Sequence, residues 1–504
     1  MSLILSLDIG SSGGRAVIAD TTGRRVGSAT RAWRYRTDAS GFQDLDLDLV
    51  WAALASASRE AVRTSLARPD AIAAVAVTSQ RTGVVFLDSK GEVLAAGPNF
   101  DARGVREGIA LERQHGELVY RVAGRLPVFL YLPARLAWFR NNKPAIADRV
   151  AKALSLSDWG TWRLTGGAAT ATEPTQAAEM LSYDIARGSW STELCDALGT
   201  PRKILPDLMR PATPVGEITE TAAREFGLHA GTPVVPAGGD TQSAALGLGA
   251  TEAGSVAIVA GTTMPVVQVS DAPTIDPERR MWTSPHAVPG KFVLEANCGE
   301  SGPALDWYLN LLGHPSGHLW LEEAAASAEP GAGGVVSIGT GPTKMGDFAF
   351  MRTGGLLFPV PLMALGRQPE DVARAALEGI AYGARQAKEW LREIGGAATD
   401  VVLGGGVSRS HVFARILASV LGRPVRRARD AQASGLGGCI VGAAAAGEFR
   451  TVAEAAAVMH DRGDVVQPEP EWTAIYEGLY ASWVEKRSLF EQTVAKVSDL
   501  SDLS

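Results

Sequence analysis

Several features that mark secreted, disulfide-stabilised or nucleic-acid-binding proteins are missing from this 504-residue chain. It has only three cysteines, Cys195, Cys298 and Cys439. Their odd number and wide spacing argue against a disulfide scaffold and fit a reducing compartment. Basic residues are also scarce, since 48 lysines and arginines stand against 55 acidic residues, for a net charge of −7. That balance argues against a nucleic-acid surface.

No targeting segment and no membrane-spanning segment is expected either. The N-terminus lacks a basic region, and Asp8 interrupts its first apolar stretch, so no signal peptide is expected. The longest apolar window, around residues 439–446, is too short and too rich in small residues to span a bilayer. We therefore expect a cytoplasmic protein that binds neither membrane nor nucleic acid.

What the chain has in excess is glycine, with 56 residues beside 27 prolines. No collagen-like period or low-complexity tract contains them, so they are expected at particular turns and loops. The remaining composition, 46% hydrophobic and 20% charged, is ordinary for a globular protein, and the length favours two large domains.

A pattern of strand, polar turn and strand begins each half of the chain. The apolar run of residues 3–9 is stopped by a glycine-rich turn at residues 10–14, and a second strand follows, which predicts a hairpin. The same pattern recurs at residues 255–270, and a similar one is expected at residues 74–95. The chain is therefore predicted to be an approximate duplication with a boundary near residues 247–254.

Helices are predicted between these strands. Apolar residues recur at helical spacing over about residues 50–66, 369–394 and 412–421, and Asp46 or Asp48 would cap the first of these helices. Strands that alternate with helices predict an α/β fold in each half. Roughly the last thirty residues are expected to form a peripheral helix.

The glycine-rich turns could bind phosphate, because backbone N–H groups reach an anion that no Cβ keeps away. The chain contains no P-loop pattern, and its first turn does not fit the G-x-G-x-x-G dinucleotide fingerprint. Each turn alone is more typical of a plain hairpin. Two turns in matching places, one after a carboxylate able to hold magnesium-bound water, favour a nucleotide site between two domains. The candidate residues are Asp8, Gly10, Ser11, Ser12, Gly261, Thr262 and Thr263.

Asp240 follows an apolar strand and the pair Gly238-Gly239. A lone aspartate before a helix is most often an N-cap. The glycine pair is less expected of a simple cap, and a carboxylate on a bare backbone turn suits a general base that must reach a substrate hydroxyl.

Two further polar groups also lie at strand ends. Gln80 and Arg81 offer several donors and an acceptor to a polyhydroxy ligand, or they form a surface turn. Asp101 and Arg103 could serve the same ligand or form a structural salt bridge. The residue pattern leaves both alternatives open.

Taken in order, the motifs resemble those of the FGGY carbohydrate kinases over about residues 3–450. The matching segments are LDIGSSGGRAVIAD and AIVAGTT for two phosphate loops, LPARLAWFRNN and QPEDVARAALEGIAYGAR for two signatures, and VLGGGVSRS for an adenosine motif containing Gly404, Gly405 and Gly406. The resemblance implies an α/β fold of two duplicated actin-like, or ribonuclease-H-like, ATPase domains with a cleft between them.

The resemblance also implies an organisation and an activity. The N-terminal kinase domain would span residues 1–250 with the sugar site, the C-terminal domain residues 251–450 with the adenosine site, and peripheral helices residues 451–504. The activity would be that of a phosphotransferase with an alcohol acceptor, using ATP and Mg²⁺ on a small sugar or polyol. The sequence leaves the oligomeric state open, with a homodimer among the alternatives.

Family positions assign individual roles. Asp240 would be the catalytic base, and Asp8 would help to place Mg²⁺ at the phosphates. The residues that would line the sugar site are Gln80, Arg81, Asp101, Asp240 and Gln242.

The chain departs from the family pattern in several places. Arg135 stands where lysine is usual, Gln432 where glutamate is frequent, and Asn99 where glycerol kinases and xylulokinases have tryptophan. The segments around Arg81, Asn99 and Asp240 are most similar to autoinducer-2 kinases, so the candidate substrates are an autoinducer-2-like linear sugar and a ketopentose such as xylulose. The alternative from another class is an actin- or chaperone-like ATPase switch without a sugar substrate.

Overall fold

The computed structural model describes residues 2–37, 41–315, 317–344, 354–360, 366 and 368–497. Within these ranges, two large sheets form the centres of two α/β halves, as predicted. The strands of the first half are β1 Leu3–Ile9, β2 Gly13–Asp20, β3 Arg25–Ala32, β4 Arg36–Thr37, β5 Gln43–Asp44, β6 Ile72–Ser79, β7 Val84–Leu87, β8 Val93–Gly97, β9 Lys152–Leu154, β10 Ala171–Thr172, β11 Tyr183–Asp184, β12 Ser189–Trp190, β13 Asp207–Leu208, β14 Gly216–Glu217 and β15 Pro233–Gly239.

The strands of the second half are β16 Val256–Val259, β17 Thr263–Ser270, β18 Trp282–Pro285, β19 Phe292–Glu300, β20 Val336–Ile338, β21 Gly355–Leu357, β22 Val401–Gly404, β23 Val425–Arg427 and β24 Asp464–Val466. The helices of the described residues are α1 Leu47–Ser65, α2 Val105–Ala123, α3 Leu132–Asn142, α4 Pro144–Ala147, α5 Leu156–Leu164, α6 Pro174–Ala178, α7 Thr192–Ala197, α8 Glu220–Phe226, α9 Asp240–Gly247, α10 Gly302–Leu311, α11 His318–Ser327, α12 Pro369–Gly395, α13 His411–Leu421, α14 Ala433–Ala445, α15 Val452–Met459 and α16 Pro470–Val497.

The two large sheets repeat one arrangement. The first has the order β14-β15-β6-β1-β2-β3, and the second has the order β18-β19-β17-β16-β22-β23-β24. In each, a predicted hairpin is present (β1–β2 and β16–β17), and its first strand has a parallel neighbour on the other side, β6 or β22. This repetition confirms the predicted duplication.

Strand β1 is mostly apolar because both of its faces are covered. Leu5 and Leu7 point into a core shared with α1 and α5, whereas Ile4 points into a core shared with α14 and α15. Side chains alternate between the two faces of a strand, so a strand buried on both faces is mostly apolar. The exceptions in β1 are Ser6 and Asp8, which are also buried. At the start of α1, Asp46 rather than Asp48 is the cap, since its side chain accepts the Asp48 and Leu49 N–H groups.

The similar strand–turn–strand unit expected at residues 74–95 is not a hairpin. Strand β6 belongs to the first large sheet, whereas β7 pairs with β8 and β9 in a separate three-stranded sheet. The chain changes direction between them at Thr82, whose φ is 60°. The turn expected after β7 is present, since the Gly91 N–H donates to the Asp88 carbonyl at 3.0 Å.

One helix of the second half of the sequence packs on the sheet of the first half. Helix α14 comes late in the sequence and covers the first sheet, where a Cβ on Gly438 would lie 2.1 Å from Oγ of Ser6. Helix α16 is the expected terminal helix, but it is not peripheral, because Tyr476 and Trp483 are buried in the core of the second half. Residues 498–504 of that predicted segment lie outside the described residues.

None of the helices in the described part of the chain combines the length and apolar character that a membrane span needs.

Candidate active site

A cavity of about 430 Å³, here called the central cavity, lies between the two halves and takes its wall from both. The β1–β2 turn meets it from the first half, and the turn before β17 and the loop after β22 meet it from the second. The predicted site residues that line it are Gly10, Ser11, Ser12, Arg81, Asp240, Gly261, Thr262, Thr263, Gly405 and Gly406.

Each of the two predicted phosphate turns is closed by a backbone hydrogen bond, and residues of both turns line the cavity. In the first turn, the Gly10 N–H donates to the Gly13 carbonyl at 3.1 Å, and Ser12 is exposed. In the second, the Gly261 N–H donates to the Thr263 carbonyl at 3.0 Å, and Thr262 is exposed. Such turns present N–H and hydroxyl donors to an anion without a side chain in the way.

Asp8 lies just beneath the first turn. Its Oδ2 accepts hydrogen bonds from Nη1 of Arg15 at 3.1 Å and from the Ser434 hydroxyl at 2.8 Å. Its Oδ1 is buried and has no hydrogen-bond partner among the described residues. A carboxylate oxygen in that state fits the water shell of a cation, since an unmatched buried acceptor otherwise costs free energy.

Asp240 is the first residue of α9, and Gly239 rather than Asp240 occupies the N-cap position. The Asp240 carboxylate therefore lines the cavity, with Oδ1 accepting the Thr241 N–H at 2.7 Å. Burial raises the pKa of Asp240 to about 6, from 3.8 for a free aspartate. The carboxylates of Asp8 and Glu179 act in the same direction, whereas the guanidinium of Arg81 lowers it.

The glycine pair before Asp240 is explained by close contacts. Gly238 has a φ of +86°, and a Cβ there would lie 2.3 Å from Oγ1 of Thr175. A Cβ on Gly239 would lie 3.0 Å from Cγ of Arg81. The pair thus lets the Arg81 stem pack directly on the backbone that carries Asp240.

The end of the cavity near Asp240 contains a network of buried charges. Arg81 forms a bidentate ion pair with Glu295 of β19, with N–O distances of 2.6 and 2.8 Å. Glu179 lines the cavity and pairs with Arg125 at 2.9 Å. The indole of Trp282 lies against both guanidinium groups, with its ring centroid 5.4 Å from Arg81.

Three predicted sugar-site residues lie behind the cavity wall rather than in it. Gln80 is fully buried, and its Nε2 donates to the Gly10 carbonyl at 3.1 Å. Asp101 is buried in an ion pair with Arg103. Gln242 is buried, and its Nε2 donates to Oγ of Ser284 at 3.1 Å. Gln80 and Asp101 therefore bond to protein groups behind the wall, whereas Oε1 of Gln242 is buried and has no hydrogen-bond partner among the described residues.

Of the three consecutive glycines at 404–406, the last two line the cavity and the first does not. Gly404 ends β22, where a Cβ would lie 2.8 Å from the Leu248 side chain, so it packs away from the cavity. Gly405 has a φ of +89°, and a Cβ there would lie 2.4 Å from the Ala260 carbonyl. Gly406 is exposed, with nothing within 4 Å of a Cβ. Gln432 lines the same region.

Several cavity-lining or supporting residues were missed from the sequence. Arg15 follows the first turn on β2, and Ser434 begins α14 beside Gln432. Glu295 carried a usable signal, since it is a charged residue inside an otherwise apolar strand segment, which is unusual unless it has a partner. Glu179 and Trp282 gave no comparable signal.

Comparison with known proteins shows the family of this chain. The family models for the N-terminal and C-terminal domains of the FGGY family of carbohydrate kinases match residues 3–247 and 256–446. An autoinducer-2 kinase from Salmonella paratyphi B is 29% identical over 503 residues, covering 95% of this chain and 93% of that protein.

Solved structures show the same fold. A ligand-bound xylulose kinase from Lactobacillus acidophilus matches with a TM-score of 0.87 at 20% identity, over 99% of this chain and 100% of the other. A gluconate kinase from the same species matches with a TM-score of 0.86 at 20% identity, over the same shares. With both domain models matched in order along the chain, this protein belongs to the FGGY family of carbohydrate kinases.

Proposed function

We propose that the central cavity binds ATP together with a small polyhydroxy acceptor, and that Asp240 is the general base for phosphoryl transfer between them. The observation that carries the proposal is that one cavity is lined by both N–H-rich turns and by the Asp240 carboxylate. The turns suit the phosphates, and the carboxylate suits an attacking hydroxyl.

The reaction asks mainly for positioning. The acceptor oxygen attacks the γ-phosphorus of ATP while the bond from that phosphorus to the ADP oxygen breaks, and the hydroxyl proton passes to Asp240. Holding both substrates in one cavity between two halves supplies the alignment that the in-line transfer needs. Closure of the halves would exclude water and so limit hydrolysis of ATP.

Charge neutralisation would come from the two turns, from Arg15 and from Mg²⁺. The described residues contain no group of three or more metal-ligating His, Cys, Asp or Glu side chains, so Mg²⁺ would be held by phosphate oxygens and water with Asp8 behind them. When bound, Mg²⁺ neutralises charge on the phosphate oxygens. The unpartnered Oδ1 of Asp8 supports this assignment.

The acceptor would lie at the Asp240 end of the cavity. Arg81 and Glu179 offer donors and acceptors to hydroxyl groups, and Trp282 offers an apolar face to the C–H side of a sugar. The similarity to a protein named autoinducer-2 kinase supports a linear polyhydroxy acceptor. A ketopentose such as xylulose is the second candidate.

The test is an acceptor screen with the purified chain, ATP and MgCl₂. Ketopentoses, polyols, glycerol and the autoinducer-2 precursor are added singly, ADP release is followed, and the product is identified by ³¹P NMR. ADP release that depends on one acceptor and yields its phosphate ester supports the proposal. ADP release that ignores every acceptor and yields no phosphate ester overturns it and indicates the ATPase switch.

A further inference from the structure

The ion pair between Arg81 and Glu295 joins the two halves of the molecule at the acceptor end of the central cavity. Arg81 follows β6 in the first half, and Glu295 lies in the middle of β19 in the second half. Both terminal nitrogens of Arg81 are engaged, one by each oxygen of Glu295. The Glu295 side chain is 0% exposed and that of Arg81 is 12% exposed, so water screens the pair poorly.

Arg81 stands between two kinds of acidic partner. Its stem packs on Gly239, the residue directly before Asp240. Its guanidinium pairs with Glu295 and lies 3.9 Å from Glu179. The charged groups that act on Asp240 are Arg81, Asp8 and Glu179.

The charge of the Arg81 guanidinium acts on Asp240 as well as on Glu295, so the guanidinium could pair with either carboxylate. Arginine binds a carboxylate best through two parallel N–H bonds, and Arg81 makes that bidentate contact with Glu295. Without Glu295, the same two nitrogens would lose their bidentate partner and would be available to the remaining carboxylates, Glu179 and Asp240. An ion-paired Asp240 would be a weaker base and would be less accessible to an acceptor hydroxyl.

We propose that Glu295 is a positioning residue of the second half, which holds Arg81 in place for the acceptor and keeps it from forming an ion pair with Asp240. This inference rests on the proposed function for the role of Asp240. Because Glu295 comes from the second half, Arg81 has this placement only when the two halves are assembled around the cavity.

The experiment is a double-mutant cycle of Arg81→Gln, Glu295→Gln and the double variant, assayed with the best acceptor of the screen. Glutamine keeps the shape of Glu295 but presents an NH₂ group to one arginine nitrogen. Glu477→Gln is the matched control, because Glu477 also forms a bidentate pair with an arginine, Arg385, but at a site where its side chain is 68% exposed.

We expect Glu295→Gln to lower kcat/KM about tenfold or more and to move the acid limb of the kcat profile to lower pH. Glu477→Gln should change neither. If Glu295 acts through Arg81, adding Glu295→Gln to Arg81→Gln has no further effect on kcat/KM. The proposal would be overturned if the losses of kcat/KM in the two single variants added up in the double variant. It would also be overturned if Glu295→Gln had the same kcat/KM and pH profile as Glu477→Gln. The double variant removes the buried charges of both Arg81 and Glu295. Its comparison with Arg81→Gln can therefore still be made if Glu295→Gln alone does not fold.

A second measurement separates this proposal from the proposed function. The carboxyl ¹³C resonance of Asp240, assigned by its loss in Asp240→Asn, is titrated without any substrate. A midpoint that falls in Glu295→Gln but not in Glu477→Gln supports the role of Glu295, and an unchanged midpoint contradicts it. An inactive natural chain across the whole acceptor screen would overturn the proposed function, while this titration would still decide the position of Arg81.

Discussion

The hydroxyl of Ser434 donates a 2.8 Å hydrogen bond to the carboxylate of Asp8, which lies 426 residues earlier in the chain. Asp8 is the second-to-last residue of β1, just before the first predicted phosphate turn, and Ser434 lies in the first turn of α14. The contact therefore ties a late helix to the place where the phosphates of ATP would bind. It also holds Oδ2 of Asp8, while Oδ1 is buried without a hydrogen-bond partner among the described residues.

We expect Ser434→Ala to raise the KM for ATP with Mg²⁺ by about five- to tenfold, because a hydrogen bond to a buried charged group stabilises by about 1 kcal/mol or more. The KM of the acceptor should change little. Calorimetric titration of ADP with and without Mg²⁺ measures the effect without turnover. Ser327→Ala is the control, since that hydroxyl bonds the Ala324 carbonyl of its own helix. Equal ADP affinity in both variants would contradict the prediction.

Asp240→Asn should lower kcat by about 10²-fold or more while leaving the fold and ADP binding nearly intact. Asparagine fills the same space and can still accept the Thr241 N–H, but it cannot take a proton from the acceptor. Acceptor-dependent ADP release and calorimetry provide the two measurements. Asp271→Asn, at an exposed aspartate paired with Lys291, is the control for the substitution itself. Near-normal turnover in Asp240→Asn would rule out Asp240 as the base.

The pH profile of kcat should show an acid limb with a midpoint near pH 6. The base must be ionised to accept the hydroxyl proton, and burial raises the pKa of Asp240 to about 6, so activity is lost as the pH falls through that value. The measurement is kcat at saturating ATP, Mg²⁺ and a neutral acceptor between about pH 4.5 and 8. A profile that stays flat down to about pH 4.5 would show that no group with this pKa limits transfer.

The same pKa implies that Asp240 destabilises the native state at neutral pH. A carboxyl with a folded pKa of about 6 and a reference value of 3.8 binds its proton more tightly in the folded state. Its ionisation therefore reduces stability as the pH rises from about 4 to about 6, by roughly 1–3 kcal/mol. Asp240→Asn should raise the thermal midpoint at pH 7, and the gain should shrink towards zero near pH 4. A variant less stable than the natural chain at pH 7 would contradict this.

The local sequence pattern was enough to predict the backbone turns that line the site. The turns at Gly10 and Gly261 and the strand–glycine–aspartate segment at Asp240 are each specified by neighbouring residues, because apolar runs and glycines determine where a strand stops. The first hairpin and the long helix α12 follow from the same kind of signal.

Contacts between distant segments were not predictable in this way. Arg81 and Glu295 are 214 residues apart, and the residues around neither one indicate that the two form an ion pair. Their positions after strand ends left a structural role open for Gln80 and Asp101, and only the family resemblance assigned them to the sugar site. Strand alternation stops at a turn, however, so the local pattern does not say which way such side chains face. In the structure both are buried, with Gln80 donating to the Gly10 carbonyl and Asp101 paired with Arg103.

The adjacent glycines Gly405 and Gly406 should respond differently to alanine. At Gly405 the φ of +89° and a Cβ 2.4 Å from the Ala260 carbonyl mean that alanine strains the turn between β22 and the next helix. We expect Gly405→Ala to lower the thermal midpoint clearly. At Gly406 a Cβ meets nothing within 4 Å of protein, so Gly406→Ala should fold normally and occupy space in the central cavity.

If the nucleotide lies against this loop, Gly406→Ala raises the KM for ATP by about fivefold or more and leaves the KM of the acceptor unchanged. Gly478→Ala on α16 is the control, since a Cβ there also meets nothing within 4 Å and the residue is remote from the cavity. The thermal midpoint separates strain from loss of contact, because strain lowers it in the absence of ligand. An unchanged KM for ATP in a well-folded Gly406→Ala variant would show that the nucleotide does not contact this loop. It would indicate binding at the wall formed by the first turn instead.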